Sequence, residues 1–279
     1  LKIPDSLSRL TPKIIDTDQS KNPFLKLEYV KYPTLAELWL YSDFSPKLWM
    51  EMLDELFEIL NQFKKHSGIV TVDDYDLIYK TKTEDRLSEL TNSNESFKKI
   101  LTSDVLLING KKYRNWPAIK EDIELRIHDL HHEDDNCLIH GDLCFSNIFC
   151  DFKTKNFKLI DPRGKWGNTM FGDMKYDVAK LRHSLVGGFD TIVNGLCTAS
   201  LIEDNHISMK VFEPKNHQRV CRYLDELIQN QWNLNEIKLI EGLLFISMLP
   251  LHKDHFERQL AFYSIGIQLL NEVLDETDV

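Results

Sequence analysis

The sequence predicts an α+β protein with a thin strand-bearing start and a mostly helical body that carries a small β insert. The chain has 279 residues, of which 42% are hydrophobic and 28% charged, so it is long and apolar enough to bury a sizeable core. Short apolar runs separated by polar turns lie between residues 137 and 160. Apolar residues at helical spacing dominate before and after that region.

Composition excludes several classes of function. Lys and Arg number 34 against 44 Asp and Glu, which gives a net charge of −10 and disfavours nucleic-acid binding. The most apolar stretch, Leu239 to Leu251, is interrupted by Glu241 and Pro250, so we interpret it as a buried helix and expect no membrane span. Five cysteines form a sparse, odd set, and Leu1 to Leu10 shows no signal peptide; both favour reduced thiols and a cytoplasmic protein.

The N-terminal third contains one strand and one strong helix. Phe24 to Val30 alternates apolar and polar residues, which predicts a half-buried strand that ends before Pro33. Ser45 and Pro46 are typical of a helix start, and apolar residues follow at spacings of three and four as far as Phe63.

Beyond this helix, residues 68–118 are mixed in pattern, with partial helix expected from Lys80 to Lys99. A second amphipathic helix is predicted over Lys120 to His131, and helical spacing is predicted from Asp177 onward. The last helix is expected over Asp254 to Leu274. Between these helical regions the predicted strands are Cys137 to His140, Asn147 to Asp151, and Phe157 to Ile160.

The most informative segment has the form H-G-D-x-x-x-x-N and runs from His140 to Asn147, followed by Ile160 and Asp161. This pattern is expected by chance in roughly one chain of this length in a thousand. The second acid ends an apolar strand of the expected hairpin. This spacing indicates that Asp142, Asn147 and Asp161 come together on one loop and the neighbouring strand end.

Phosphoryl transfer to an alcohol needs these residue types. The hydroxyl proton must pass to a fixed base such as Asp142, and magnesium takes oxygen ligands such as those of Asn147 and Asp161. Protein kinases divide the roles in this way. The present chain differs from them, because Gly141 replaces the Arg of H-R-D, Asp161-Pro162-Arg163-Gly164 replaces D-F-G, and no A-P-E follows.

These motifs resemble the aminoglycoside phosphotransferase and choline kinase family, the small-molecule branch of the protein-kinase-like fold. The resemblance covers most of the chain: Leu27 to Leu38 is similar to the segment that connects the two lobes, and Tyr176-Asp177-Val178-Ala179 to the family's Y-D-x-A helix start. It implies a truncated N-terminal nucleotide-binding lobe and hinge over residues 1–33. A helical C-terminal catalytic lobe would cover residues 34–279.

The resemblance also implies the cofactors and the site residues. ATP or GTP would be the phosphate donor, with Mg²⁺, and the acceptor would be a small hydroxylated molecule, a sugar or an amino alcohol. The motifs I-D-P-R-G and Y-D-x-A-K-L are similar to those of family members associated with bacterial capsule and surface-sugar genes. The implied roles are Asp142 as catalytic base, Asn147 and Asp161 as magnesium ligands, Glu28 and Val30 as nucleotide contacts, and His140 and Asp177 as supports of the catalytic loop.

Part of the family's nucleotide site is missing from this chain. A glycine-rich loop and a strand Lys should precede the Phe24 strand, yet the first glycine is Gly68, and neither Lys2 nor Lys13 lies in a convincing strand. Since the chain opens with Leu1 rather than Met, we favour a fragment of a longer protein over a degenerate member. The alternative function is a non-catalytic pseudokinase or binding module.

Other readings compete at several residues. Arg163 is expected to contact a phosphate or the acceptor, with surface salt bridging as an equal alternative. Asp142, Asn147 and Asp161 are also residue types that serve turns. His131, His132, Cys137 and His140 are a candidate zinc site, but their spacing matches no usual zinc finger, so this site is disfavoured. We interpret His252 and His255 as a solvated pair.

Overall fold

The structure is a computed structural model that describes residues 3–167, 169–215 and 217–276. Within these ranges the protein is α+β, with a continuous hydrophobic core between helices and small sheets. The helices are α1 (Leu35–Tyr41), α2 (Pro46–Lys64), α3 (Val72–Tyr75), α4 (Lys82–Ser93), α5 (Glu95–Ile100), α6 (Trp116–His128), α7 (Met174–Leu185), α8 (Phe189–Val193), α9 (His217–Gln229), α10 (Leu234–Ser247) and α11 (Phe256–Asp275). A π-helical segment, Asp76–Thr81, joins α3 to α4.

The strands form separate small sheets. They are β1 (Ile14–Asp18), β2 (Phe24–Leu27), β3 (Val105–Ile108), β4 (Lys111–Arg114), β5 (Asn136–Leu138), β6 (Ile148–Asp151), β7 (Asn156–Leu159), β8 (Phe171–Asp173), β9 (Cys197–Glu203) and β10 (His206–Val211). The pairs β1–β2, β5–β8 and β6–β7 are antiparallel two-stranded units. The order β4-β3-β10-β9 makes a four-stranded sheet in which only β3 and β10 run parallel.

The predicted helix after Ser45 is confirmed as α2. The Ser45 side chain accepts a hydrogen bond from the backbone N–H of Leu48 at 3.3 Å, and Pro46 occupies the first turn, where no amide donor is needed. The apolar face that includes Trp49 and Met52 is buried and packs against α9 and β5. Spacing in the sequence predicted this face correctly because one side of α2 faces the core.

The predicted half-buried strand from Phe24 to Val30 is wrong in burial and in length. Strand β2 ends at Leu27 and all four of its residues are exposed, with Leu25 58% accessible. Its one partner is β1, whose Ile14 and Ile15 are also exposed, so no layer covers either face of this ribbon among the described residues. Alternation of apolar and polar residues shows that a strand has one face suited to burial. It does not show whether a helix or sheet packs on that face.

The central hairpin is confirmed in part. β6 and β7 pair in register from Ile148 opposite Leu159 to Asp151 opposite Asn156, as the two predicted strands require. The first predicted strand, Cys137 to His140, is shorter, since β5 ends at Leu138, and it pairs with β8 rather than with the hairpin. Asp177 hydrogen-bonds the amides of His140 and Gly141, which pulls the chain out of the strand at that point.

The prediction of unbroken helix after Asp177 is wrong. β9 and β10 form an antiparallel pair there and add to the hairpin of β3 and β4, which turns at Asn109 and Gly110. Both residues of that turn have positive φ, 51° and 80°, as an Asn-Gly hairpin turn requires. The sequence signal existed in the alternation from Cys197 to Glu203, but the helical segments on each side masked it.

Helix α7 runs through the middle of the protein, and all twelve of its residues are buried. Asp173 caps it by accepting a hydrogen bond from the backbone N–H of Lys175 at 3.0 Å. α10 packs along α7 and along α11, and α10 and α11 approach closely where Gly242 and Gly266 face each other. α7 is therefore held from several sides, which makes it a rigid support for the loop beside it.

The remaining helix predictions are close to the structure. α6 begins at Trp116, four residues before the predicted start, and α11 runs within two residues of the predicted bounds. The apolar stretch from Leu239 is buried, but α10 stops at Ser247 and a short 3-10 turn carries Pro250, which cannot continue the helix. In the described ranges, no helix combines the length and apolar content that crossing a bilayer demands.

Candidate active site

The loop between β5 and β6 carries the H-G-D motif, and Asp177 of α7 holds its first turn. The Asp177 carboxylate accepts hydrogen bonds from the backbone N–H groups of His140 at 2.6 Å and of Gly141 at 2.8 Å. Burial raises the pKa of Asp177 to about 7, against the opposing effect of these two donors. Gly141 itself has φ of +79°, and an added Cβ would lie 2.8 Å from Cβ of Arg163. A glycine is therefore required by both the backbone conformation and the neighbouring chain.

His140 connects the loop to the end of the hairpin. Its Nδ1 accepts the backbone N–H of Asp142 at 3.3 Å, so its Nε2 donates to the carbonyl of Ile160 at 3.0 Å. Burial lowers the pKa of His140, which favours the neutral imidazole that this pattern needs. The ring thus fixes the position of Ile160, immediately before Asp161.

Asp142 and Asn147 are joined within the loop. The Asn147 side-chain amide donates to the carbonyl of Asp142 at 2.9 Å and to its Oδ2 at 3.2 Å. Both of these bonds use Nδ2, which leaves the oxygen Oδ1 of Asn147 available as a ligand. Asp161 has a positive φ of 55°, is exposed, and takes no hydrogen-bond or ion-pair partner among the described residues.

Lys180 of α7 pairs with the candidate base. Its Nζ lies 2.8 Å from Oδ1 of Asp142. Burial alone would raise the pKa of Asp142, but the charge and hydrogen bond of Lys180, with smaller contributions from His140 and Arg163, hold it below its ordinary value. Asp142 is consequently ionised at neutral pH and able to accept a proton.

Three side chains of α7 therefore act on this loop from one face of the helix. Asp177, Lys180 and Ser184 are spaced at i, i+3 and i+7, which places them in one row. The Ser184 hydroxyl accepts the backbone N–H of Phe145 at 3.0 Å. The row holds the motif at His140, Gly141, Asp142 and Phe145.

The motif opens into a cleft of about 470 Å³. It brings Asp142, Asn147, Asp161 and Arg163 together, as the sequence predicted for one site. The rest of the lining comes from α4, α7, α8, α10 and the 3-10 turn after it, and includes Lys82, Arg86, Tyr176, Lys180, Phe189, Leu244, Ser247, Met248 and Leu251. Sequence reasoning assigned none of these side chains to the site.

Four of these unassigned side chains form two pairs whose spacing is visible in the sequence. Lys82 and Arg86 are four residues apart on α4, and Tyr176 and Lys180 four apart on α7, so each pair shares a helix face. Spacing does not show that these two faces meet across a cleft, because that depends on how α4 packs. Their contribution to the site is therefore a tertiary feature.

Arg163 points toward Tyr176. Its guanidinium donates to the Tyr176 hydroxyl at 2.9 Å, and Lys82 Nζ lies 3.3 Å from the same oxygen. Although burial opposes ionisation, the charges of Lys82, Lys180 and Arg163 lower the pKa of Tyr176. Within the described chain Arg163 makes no ion pair with a carboxylate, so surface salt bridging does not describe its position.

Glu28 and Val30, the predicted nucleotide contacts, lie outside this cleft. The backbone N–H of Glu28 donates to the carbonyl of Lys13 at 2.8 Å, and its carboxylate accepts from the Lys13 N–H at 3.1 Å and lies 3.5 Å from Lys158 Nζ. Nucleotide binding by these two residues stays a prediction.

The four candidate zinc ligands do not come together in one site. His131 hydrogen-bonds the carbonyl of Val70, His132 pairs with Glu236, and Cys137 is buried in β5. Across residues 3–167, 169–215 and 217–276, no group of three His, Cys, Asp or Glu side chains is placed to hold a metal ion.

The histidine pair near the C-terminus differs from the prediction. His255 is exposed, but His252 is half-buried, lies 3.2 Å from Arg258 through its Nδ1, and packs edge-on against Phe262. Burial and the charge of Arg258 lower the pKa of His252 to about 4. His252 is therefore a neutral packing residue and not one of a solvated pair.

The donor atoms at the motif suit magnesium. Asp161 has an unpartnered carboxylate and Asn147 an uncommitted amide oxygen, and both line the same cleft as Asp142. Hard divalent cations prefer oxygen ligands of these kinds and take water for the rest. The residues present therefore fit a magnesium ion.

Comparison with known proteins adds little to this site. No protein-family model matches the chain, and no curated protein matches it. Among solved structures, the chain is similar to a choline kinase from Cryptosporidium parvum Iowa II, with a TM-score of 0.40 and 13% identity over 96% of this chain and 73% of that one.

Proposed function

We propose that this chain is the catalytic part of a small-molecule kinase, which moves the γ-phosphate of a nucleoside triphosphate to a hydroxyl of a small acceptor. One observation carries the proposal: Asp142, Asn147 and Asp161 line one cleft, and Lys180 keeps Asp142 ionised. The aminoglycoside phosphotransferase and choline kinase resemblance of the motifs supports the same assignment. The sequence predicts a sugar or an amino alcohol as acceptor and a role with surface polysaccharides.

The proposed step needs few protein groups. The acceptor oxygen forms a bond to the γ-phosphorus while the bond from phosphorus to the β,γ-bridging oxygen breaks, so the nucleoside diphosphate leaves with that electron pair. The hydroxyl proton passes to the carboxylate of Asp142. Magnesium, when bound by Asn147 and Asp161, supplies charge neutralisation for the phosphates. Asp177, His140 and Ser184 keep the loop in place during the reaction.

The test is phosphoryl transfer by the purified protein. Asp142→Asn and Asp161→Asn should each lower the rate by at least about a hundredfold while circular dichroism stays as in the wild type. Thermal unfolding should stay unchanged in Asp161→Asn, whereas Asp142→Asn should be less stable but folded, because buried Lys180 loses its carboxylate partner. Asp151→Asn is the matched control, because Asp151 lies at the far end of β6, outside the cleft. Full activity in either cleft variant would overturn the assignment.

The alternative, a pseudokinase or binding module, makes a different prediction. A catalytic protein should show nucleotide- and magnesium-dependent protection from thermal unfolding together with turnover. Protection without turnover across a broad acceptor panel would favour the module. Two observations argue for the enzyme: Asp142, Asn147 and Asp161 are all present, and Asp142 pairs with Lys180. A binding module has no chemical need for an ionised base.

A further inference from the structure

The lining of the cleft is rich in positive charge. Lys82 and Arg86 project from α4, Lys180 from α7, and Arg163 from the segment after the hairpin. The carboxylates that line the cleft are Asp142 and Asp161, so cations outnumber anions although the whole chain has a net charge of −10. This local excess runs against the composition and therefore calls for a ligand.

Two of these cations lack a carboxylate partner. Lys180 pairs with Asp142, and Arg86 pairs with Glu89 at the surface at 3.1 Å. Lys82 and Arg163 have no such partner among the described residues and converge instead on the hydroxyl of Tyr176, at 3.3 and 2.9 Å. Burial, with the nearby charges of Arg163 and Lys180, lowers the pKa of Lys82, as expected for a cation without a counterion.

The cleft also has an apolar part. Phe189, Leu244, Met248 and Leu251 line it together with the cations. A ligand that fits this lining has a carbon skeleton and an anionic group, and a hydroxyl must reach Asp142 for transfer. A cationic acceptor such as an amino alcohol would meet Lys82 and Arg163 with like charge, which is unfavourable in a partly desolvated site.

We propose that the acceptor of this kinase is a hydroxylated molecule that carries a phosphate or a carboxylate, which Lys82, Arg86 and Arg163 bind while Tyr176 orients the two unpaired cations. This inference rests on the proposed function and names the acceptor class of the same cleft. Lys82 and Arg86 belong to α4, which bears none of the candidate magnesium ligands, so they are assigned to the acceptor and not to the nucleotide phosphates.

The first test is acceptor choice in the full-length protein with saturating ATP and magnesium. Acceptors that differ mainly in charge are compared: glycerol 3-phosphate and glycerate against glycerol and choline, and glucose 1-phosphate against glucose and glucosamine. The expected result is a kcat/KM at least tenfold higher for an anionic compound than for its neutral or cationic counterparts. Preference for a neutral or cationic compound would overturn the inference and leave the kinase assignment standing.

The second test uses Lys82→Met and Arg86→Met, with Lys98→Met, an exposed Lys on α5, as the matched control. Each cleft variant should raise the KM for the anionic acceptor at least tenfold and leave the KM for ATP within twofold. A rise in the KM for ATP with an unchanged acceptor KM would assign the cations to the nucleotide and overturn the inference.

The third test does not depend on turnover. Inorganic phosphate should raise the thermal unfolding temperature above that in chloride of equal ionic strength, in the presence of a saturating non-hydrolysable ATP analogue with magnesium. The rise should be lost in Lys82→Met and kept in Lys98→Met. Absence of the rise, or an equal rise in Lys82→Met, would overturn the anion site even if transfer is observed. A phosphate-dependent rise in unfolding temperature without transfer to any compound would support the anion site and count against the kinase assignment.

Discussion

Lys180 Nζ lies 2.8 Å from Oδ1 of Asp142, so the candidate base of this protein is held by a buried cation from the neighbouring helix. The pair has two consequences for the proposed phosphoryl transfer. It keeps Asp142 ionised in a partly buried position, and it fixes the carboxylate that must meet the acceptor hydroxyl. Because Lys180 shares a face of α7 with Asp177, the same helix sets both the charge and the position of the loop.

Lys180→Met should move the acid limb of the pH–rate profile. Without the Lys180 charge, burial dominates at Asp142 and raises its pKa, so the base becomes protonated at a higher pH. We expect the limb in kcat/KM to move upward by at least about 1 pH unit. Lys98→Met on α5 is the control and should leave the limb in place. An unchanged limb in Lys180→Met would show that Asp142 is not the titrating base.

Gly141→Ala should destabilise the protein more than Gly110→Ala. The two glycines have nearly equal φ, +79° and +80°. Placing an alanine in this left-handed backbone region therefore destabilises the folded state by a similar amount at both positions, about 1 kcal/mol. An added Cβ at Gly110 meets open space, whereas at Gly141 it meets Arg163 at 2.8 Å. We expect an additional loss of about 1–2 kcal/mol in the free energy of unfolding for Gly141→Ala, measured by urea denaturation. Equal losses would mean that the loop and Arg163 do not pack as described.

Ser184→Ala and Ser264→Ala provide a comparison between two fully buried hydroxyls. Ser184 accepts the backbone N–H of Phe145, while the Ser264 hydroxyl has no hydrogen-bond partner in the described part of the chain. Removal of the Ser184 hydroxyl leaves a buried amide unsatisfied, with an expected loss of about 1–3 kcal/mol. Ser264→Ala should be neutral or slightly stabilising. Denaturant titration of the two variants checks this order, and a larger loss in Ser264→Ala would contradict it.

Glu241→Gln should flatten the dependence of stability on pH. Burial raises the pKa of Glu241 from 4.5 to about 7, against the charge and hydrogen bond of Arg182, and Asp225 and Glu272 raise it further. Since the folded-state pKa lies above the unfolded one, the folded protein holds an extra proton between these values. Stability is therefore full below about pH 4.5 and is lost as the pH rises toward 7, by up to about 3 kcal/mol.

In Glu241→Gln this contribution disappears, so the unfolding free energies of variant and wild type should diverge between pH 5 and 8. Other buried carboxylates, Asp173 and Asp177, have raised pKa values as well, and their contribution is common to both proteins. Denaturant titrations at several pH values measure the difference. Parallel curves would show that Glu241 does not titrate in this range.

The sequence predicted the elements whose pattern is local. α2 is readable because Ser45 and Pro46 mark its start and its apolar face repeats through Phe63. The β6–β7 hairpin and the order of Asp142, Asn147 and Asp161 around it follow from short runs and turns. Such features depend on residues near one another in the chain, which a single sequence contains.

Features set by distant contacts were missed. β10 pairs with β3 across about a hundred residues, and nothing in Cys197 to Val211 indicates that partner. Lys82 reaches the cleft only because α4 packs against α10, and the exposure of β2 depends on what covers it. These outcomes are decided by tertiary packing, which overrides local propensity.

The complete burial of α7 limits how this site is able to change during evolution. Its twelve residues serve the core on most faces and the candidate catalytic loop on one. A substitution that retunes Asp142 through this helix must also be accommodated by packing, so variation in activity and in stability are coupled here. The part of the lining formed by α4 is under less constraint, since Arg86 is one-third exposed and pairs with Glu89 at the surface. Changes of acceptor are therefore expected to arise on α4, while α7 stays nearly fixed.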